Sequence, residues 1–143
     1  MTPLPPRLPG WRSRLYAWLD ASAKEPHVFG RHDCALIIAG GIEAMHGVDP
    51  AAPYRGRYTS WRGGLRILRR AGFEDPRALL ATLATPVAPI SAQIGDIAVL
   101  EGEGHINLGF VVGSQIRVLR SDGSAILPLF GPFGCAAHEV WRT

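Results

Sequence analysis

Cys34 is the residue of this sequence best placed to do covalent chemistry. It directly follows Asp33, comes after a glycine turn at Gly30, and opens an apolar stretch with the character of a helix. The backbone N–H groups and positive end of a helix stabilise a thiolate, the nucleophilic form of cysteine. Asp33 suits the N-cap, although its negative charge opposes that stabilisation. Two interpretations follow: a nucleophile, or a small apolar residue packed at a helix start.

A thiol nucleophile needs a base, which is normally a histidine within hydrogen-bonding distance. Among the five histidines, His105 is best placed because it enters a predicted strand that can face the start of the helix. His46 is excluded, since it lies about 18 Å from Cys34 along the same helix. The other three are placed outside the predicted helices and strands: His27, His32 and His138. We therefore predict a catalytic pair of Cys34 and His105, and the alternative for His105 is a solvated loop histidine.

Helices must position the cysteine, and strands must position the histidine. Apolar residues at helical spacing predict helices over Trp11 to about Ala23, Asp33 to Met45, Trp61 to Ala71 and Pro76 to Leu83. The second helix is apolar around most of its circumference, which is typical of a helix buried in the middle of a domain. After Gly95 the pattern predicts strands: Ile97–Leu100, Leu108–Val112, Ile116–Leu119, Ala125–Leu129 and Glu139–Trp141. Helices followed by an antiparallel sheet indicate an α+β domain.

Length and composition favour one globular domain over residues 11–143, preceded by an extended arm over residues 1–10 that holds four prolines. Hydrophobic residues make up 47% of the chain and charged residues 19%, unlike a disordered protein. We expect neither a membrane span nor a secretory signal peptide, because no apolar run is long enough. Two cysteines are too few for a disulfide scaffold or a four-cysteine zinc site, although one disulfide between Cys34 and Cys135 stays open. We expect no metal and no cofactor.

An arginine-rich segment runs from Tyr54 to Arg70, with six arginines and no acidic residue. Arginine beside tyrosine and tryptophan is typical of a surface that binds a protein partner. The same composition could hold nucleic acid, or it could be a solvated loop and outer helix face. We disfavour nucleic acid, because genome composition explains why fourteen of the fifteen basic residues are arginine. The residues predicted to contact a partner are Tyr54, Arg55, Arg57, Tyr58 and Trp61.

The order of these motifs resembles the NlpC-type cysteine peptidases, small papain-like enzymes that cleave peptide bonds in peptidoglycan stems. The family's Asp-Cys pair matches Asp33-Cys34, and its Gly-Asp-hydrophobic segment matches residues 95–100. Its histidine-bearing strand matches residues 107–113. The resemblance implies a papain-like NlpC-type fold, in which a buried nucleophile helix packs on a small antiparallel sheet. It also implies Cys34 as the nucleophile, with an oxyanion held by N–H groups at the helix start.

The sequence departs from that family at two places. Asn107 stands where the family's histidine falls, and His105 lies two residues earlier, on the same face of the strand. Ala35-Leu36 replaces the Ser-Gly that often follows the cysteine. For the third, orienting residue of the site, position leaves two candidates, Asn107 and Arg117.

The chain as a whole is more similar to NlpC-like proteins encoded in the tail modules of bacteriophages, prophages and gene transfer agents. Residues 29–35, 44–50 and 54–58 carry this resemblance. It implies a component of a virion or phage-like tail, made in the bacterial cytoplasm, with tail-tip or hub proteins as partners. Two functions are then expected: a cysteine peptidase that opens peptidoglycan during genome delivery, or a catalytically inactive structural adaptor with the same fold.

Overall fold

The computed structural model describes residues 3–102, 104–132 and 134–143. Within these residues, four α-helices precede eight strands. The helices are α1 (Trp11–Ser22), α2 (Cys34–His46), α3 (Trp61–Arg70) and α4 (Pro76–Leu83). The strands are β1 (Thr85–Val87), β2 (Ile97–Gly102), β3 (His105–Val112), β4 (Gln115–Arg120), β5 (Gly123–Pro128), β6 (Phe130–Gly131), β7 (Gly134–Cys135) and β8 (Glu139–Arg142). The first two residues of the predicted arm, Glu103 of a predicted turn and Phe133 lie outside the described residues.

The strands form a six-stranded antiparallel sheet in the order β1-β8-β2-β3-β4-β5, beside a separate β6-β7 pair. The α+β class is thereby confirmed, with every predicted helix and strand present. The sequence did not indicate β1, β6 or β7, which are three residues long or shorter. In β1 the reason is Pro86, which lacks a backbone N–H and is tolerated because β1 forms an edge of the sheet.

Helix α2 lies at the centre of the molecule, between α1 and the sheet. Two adjacent glycines allow this, since a Cβ atom at Gly40 would lie 2.2 Å from the ring of Trp18. A Cβ atom at Gly41 would lie 2.2 Å from the ring of Phe110 on β3. The indole N–H of Trp18 also donates a hydrogen bond of 2.9 Å to the carbonyl of Ile37. Close packing on both sides therefore fixes how far α2 lies from α1 and from the sheet and how it is rotated about its axis. The position of Cys34 is fixed in the same way.

The sheet is buried on both faces, which explains the apolar runs in its central strands. Along β2, Ile97 and Val99 belong to a core cluster shared with α1 and α2. Ala98 and Leu100 belong to a second cluster on the opposite face, as the alternation of a strand requires. The turn before β2 is held by the fully buried Asp96, which accepts hydrogen bonds from the N–H of Gln93 and the guanidinium of Arg142.

The described part of the predicted arm packs on the C-terminal end of α2. The N–H of Leu8 donates to the carbonyl of Met45 over 2.7 Å. His46 contacts the carbonyl of Pro5 through Nδ1 (2.7 Å) and the hydroxyl of Thr143 through Nε2 (2.9 Å). The arm and the last residue of the chain are thus tied to the same end of the central helix. Of the helices in the described ranges, none is long and apolar enough to cross a membrane.

Candidate active site

A cleft lies between the N-terminal end of α2, the start of β3 and the segment that carries α3 and α4. The structure brings all four residues of the predicted catalytic site to its lining: Asp33, Cys34, His105 and Asn107. Cys34 is the first residue of α2, and His105 is the first residue of β3. The N-terminal end of α2 and the start of β3 therefore border the same cleft.

Asp33 organises the polar end of the cleft, although only 3% of its surface is exposed. It is the N-cap of α2, where Oδ1 accepts a hydrogen bond of 3.0 Å from the N–H of Leu36. Its Oδ2 accepts from the N–H of Gly30 at 3.0 Å and from the hydroxyl of Tyr58 at 2.5 Å. One carboxylate thus joins the turn before α2, the first turn of α2 and the loop before α3.

Gly30 brings that loop against the start of α2. Its φ angle of 84° is in the left-handed region, and a Cβ atom there would lie 2.0 Å from the carbonyl oxygen of Tyr58. The N–H of Gly56 in turn donates to the carbonyl of Gly30 over 2.8 Å. A side chain at position 30 would therefore push the loop and its Tyr58 hydroxyl away from Asp33.

The Tyr58 hydroxyl is held in its protonated form. Burial raises the pKa of Tyr58 far above its ordinary value, and the charge of Asp33 and the hydrogen bond to it act in the same direction. A negative charge on Cys34 adds a smaller effect of the same sign on this pKa, because the sulfur lies near the phenol. Tyr58 therefore keeps its proton at physiological pH and donates it to Asp33, beside the cysteine.

Cys34 is buried, with 5% of its surface exposed, and forms no disulfide with Cys135. N–H groups in the first turn of a helix lack intrahelical acceptors, and in α2 they belong to Cys34, Ala35 and Leu36. The N–H of Leu36 is used by Asp33. Ala35 lines the cleft beside Cys34, so the start of α2 presents a thiol and backbone dipoles to the same space.

The ring of His105 is fixed by contacts on its face and at one nitrogen. It stacks on Trp61, the first residue of α3, with ring centroids 4.2 Å apart and an interplanar angle of 18°. Its Nδ1 lies 3.0 Å from the carbonyl oxygen of Ile106. Because a carbonyl oxygen only accepts, Nδ1 carries the proton, and the lone pair of the neutral ring is on Nε2. The ring therefore has the tautomer of a base that acts through Nε2.

Asn107 is buried, with 4% of its surface exposed, and follows His105 by two residues on β3. Strand β4 pairs with β3 from Gly109 to Val112, so the first half of β3 projects past β4 and borders the cleft. Arg117, the other candidate for an orienting residue, pairs with Asp20 at 2.8 Å and is not among the cleft residues. The structure therefore places Arg117 away from the cleft, and Asn107 is the candidate that it brings there.

The residues predicted to bind a partner divide into two groups. Tyr54, Tyr58 and Trp61 line the cleft. Arg55 forms a salt bridge of 2.6 Å with Asp49, and Arg57 donates to the carbonyl of Pro53. Partner binding by these five residues stays a prediction. The exposed arginines of α3 line a separate surface groove together with Leu65: Arg62, Arg66, Arg69 and Arg70.

Sequence reasoning missed most of the apolar wall of the cleft, to which Leu65, Leu79 and Leu83 of α3 and α4 contribute. Their helical spacing indicates burial, but it does not distinguish a packed core from a cavity. It also missed His27, whose ring meets that of Phe29 edge-on at 4.5 Å, with both at the lining. In the described ranges, no group of three or more His, Cys, Asp or Glu residues is arranged to hold a metal ion.

The site therefore contains a thiol at a helix start, an imidazole whose Nδ1 faces a backbone carbonyl, and backbone N–H groups, beside a phenol that donates to Asp33. The thiol, the imidazole and the N–H groups are those that a thiolate attack on a carbonyl carbon needs. A comparison with curated proteins finds no match. A family model described as a domain of unknown function, DUF6950, matches residues 6–143. Since this match covers almost the whole sequence, the chain belongs to the DUF6950 family.

Proposed function

We propose that this protein is a cysteine peptidase with a papain-like, NlpC-type fold, in which Cys34 is the nucleophile and His105 the base. One observation carries the proposal: the first residue of the buried helix and the first residue of β3 line one cleft, although they are far apart in sequence. The tautomer of His105 supports it, because Nε2 is the nitrogen that must exchange protons.

The reaction proceeds in two stages. His105 Nε2 takes the thiol proton, the sulfur of Cys34 attacks the amide carbonyl carbon, and the carbonyl oxygen gains the negative charge. First-turn N–H groups of α2 stabilise this oxyanion. His105 then gives its proton to the leaving nitrogen, the carbon–nitrogen bond breaks, and a thioester remains on Cys34. A water molecule, deprotonated by His105, attacks the thioester and releases the carboxylic acid with the free thiol.

Four further residues act by positioning these groups. Asp33 holds the start of α2, and Tyr58 is anchored to Asp33 beside the sulfur. Trp61 restrains the plane of the His105 ring through their stack. Asn107 supports the site from the same strand as the base. None of these contacts involves the sulfur–carbon bond that forms in the reaction.

The substrate class and the location follow from the resemblance to NlpC-like proteins of phage-type tails. We infer that the substrate is a peptide of the peptidoglycan stem and that the protein works in a tail tip, bound to tail-tip or hub proteins. Cleavage there would open the cell wall for the delivery of genetic material.

The test is the release of free amines from purified peptidoglycan by the wild-type protein and by Cys34→Ala and His105→Ala variants. The proposal predicts cleavage by the wild type and a loss of about three orders of magnitude or more in each variant. Cys135→Ser is the matched control and should cleave normally, since Cys135 lies on β7 and not in the cleft. Cleavage that survives Cys34→Ala, or a wild-type protein that cleaves nothing, would overturn the proposal.

A structural adaptor is the second candidate, and the groove on α3 is the observation that favours it. Four exposed arginines line this groove, and no acidic residue of the described chain is among its lining residues. Such a surface complements an acidic face of a neighbouring tail protein. If the protein is an adaptor, the double variant Arg62→Glu, Arg66→Glu should prevent particle assembly. Cys34→Ala should not prevent it. Nucleic acid binding would instead show as an affinity that falls steeply with added salt.

A further inference from the structure

The cleft continues from Cys34 into an apolar pocket along α2. Ile38 and Ile42 follow Cys34 by four and eight residues, so they lie on the same face of the helix and extend about 12 Å along its axis. Both line the cleft. The inner part of the cleft thus begins at the sulfur and runs beneath the cover formed by α3 and α4.

The opposite wall of this pocket is also apolar. It is formed by leucines of α3, α4 and β3: Leu65, Leu68, Leu79, Leu80, Leu83 and Leu108. Among the described residues that line the cleft, there is no lysine, arginine or glutamate. The carboxylate of Asp33 already accepts three hydrogen bonds. A charged group in the inner pocket would lose its hydration without gaining a partner, so the occupant must be apolar.

The size of the pocket restricts the occupant further. The whole cleft, including its end at Cys34 and His105, has a cavity volume of about 80 Å³, so the inner pocket is smaller than this. A cavity of about 150 Å³ in another protein accepts benzene. This pocket therefore has room for a short aliphatic group and is too small for an aromatic ring.

The position of His105 determines which side of the substrate enters the pocket. The leaving nitrogen must lie against the imidazole to receive its proton, so the leaving group occupies the end of the cleft at β3. The acyl part of the substrate then extends along α2, toward Ile38 and Ile42.

We propose that this pocket is a specificity site for a small aliphatic side chain, such as that of alanine, valine or leucine, on the acyl side of the scissile bond. This inference rests on the proposed function. It adds a substrate class that the arrangement of Cys34 and His105 alone does not supply.

The first experiment measures hydrolysis of acetyl-aminoacyl-aminomethylcoumarin amides that differ only in one side chain: glycine, alanine, valine, leucine or phenylalanine. We expect kcat/KM to rise about tenfold or more from glycine to alanine, valine or leucine, and to fall again for phenylalanine. Leu65→Ala enlarges the pocket at a half-buried residue outside the core clusters and should move the optimum to phenylalanine. Ile126→Ala, which removes the same kind of side chain at an exposed site on β5, is the control and should leave the optimum unchanged.

A second experiment measures the pocket without hydrolysis. Acetyl-aminoacyl chloromethyl ketones with the same five side chains alkylate a cysteine as chloride leaves, and the rate at Cys34 is followed by mass spectrometry. An alanine, valine or leucine optimum that moves in Leu65→Ala supports the pocket even if no amide is hydrolysed, in which case only the peptidase assignment fails. Hydrolysis or alkylation that is insensitive to the side chain, or fastest for phenylalanine in the wild type, overturns the pocket and leaves the peptidase assignment intact.

Discussion

The two ends of α2 both carry buried titratable groups, but they use them differently. At the N-terminal end, Asp33 is held by three hydrogen bonds while its neighbour Cys34 lines a cleft with His105. At the C-terminal end, both ring nitrogens of His46 contact the chain termini, at Pro5 and Thr143. His46 is not among the residues that line the cleft. Burial alone therefore does not distinguish the two ends of α2, whereas the adjacency of a cavity and of a second titratable group does.

Among the variants that probe the two ends of α2, Gly30→Ala should have the largest effect on stability, because it disrupts the N-terminal end of this helix. The new Cβ atom would meet the carbonyl of Tyr58, and the left-handed φ adds strain, so we expect the free energy of unfolding to fall by about 3–4 kcal/mol. Gly56→Ala is the matched control, because its φ is also left-handed but a Cβ atom there meets nothing within 4 Å. It should cost about 1 kcal/mol. Equal losses in urea unfolding would show that the close approach at Gly30 is unimportant.

Asp33→Ala should lower the free energy of unfolding by about 2–3 kcal/mol, because it removes an N-cap and leaves the Tyr58 hydroxyl without its acceptor. Asp75→Ala removes the N-cap of α4, where the carboxylate accepts only from Ala78 among the described contacts, and should cost about 1 kcal/mol. The comparison of these two caps by chemical denaturation separates helix capping from the organisation of the cleft. A loss no greater for Asp33 than for Asp75 would contradict the organising role of Asp33.

The pH dependence of stability tests the role of His46 at the C-terminal end of α2. Burial is the main cause that lowers the pKa of His46, so the folded protein binds fewer protons at this residue than the unfolded chain does. Its contribution to stability is complete above the unfolded pKa of about 6.5 and is lost progressively as the pH falls below that value. The slope from this one group is at most about 1.4 kcal/mol per pH unit.

His46→Gln should reduce that slope, as measured by urea unfolding at a series of pH values from about 8 to about 5. The amide retains a donor for the Pro5 carbonyl, so the variant should stay folded near neutral pH. The same acid dependence in the variant and the wild type would mean that His46 is not responsible for it.

Loss of the stack that restrains His105 should have the smallest effect of these changes. Trp61→Ala should reduce kcat/KM about three- to tenfold, because the ring loses its stacking partner and samples more orientations. Trp61→Phe keeps an aromatic face and should retain most of the activity. If the two variants lose equal activity, the effect comes from the size of the indole and not from the stack.

Local features of the fold could be predicted from the sequence, because they depend on spacing along the chain. The boundaries of α2 follow from Asp33 as N-cap and Gly47 as the stop, and the alternation of β2 follows from residues 97–100. Strand β3 begins at His105 and not at the predicted Leu108, since pairing with β2 extends it past the apolar run.

Contacts between distant elements could not be predicted from the sequence in the same way. The bond from Tyr58 to Asp33 and the stack of Trp61 on His105 depend on how the loop before α3 crosses the start of α2. The ion pair of the buried Asp96 with Arg142 depends on the position of β8 between β1 and β2. No spacing rule gives these geometries, because they are set by the packing of whole elements.

Alkylation of the native protein shows whether Cys34 and His105 act together. Iodoacetamide is added at about pH 6.5, where an ordinary thiol is almost entirely protonated, and modification of Cys34 and Cys135 is followed by mass spectrometry. We expect Cys34 to react faster than Cys135, and we expect His105→Ala to slow Cys34 but not Cys135. A Cys34 that stays unmodified until the protein is denatured, or whose rate ignores His105, would contradict this expectation.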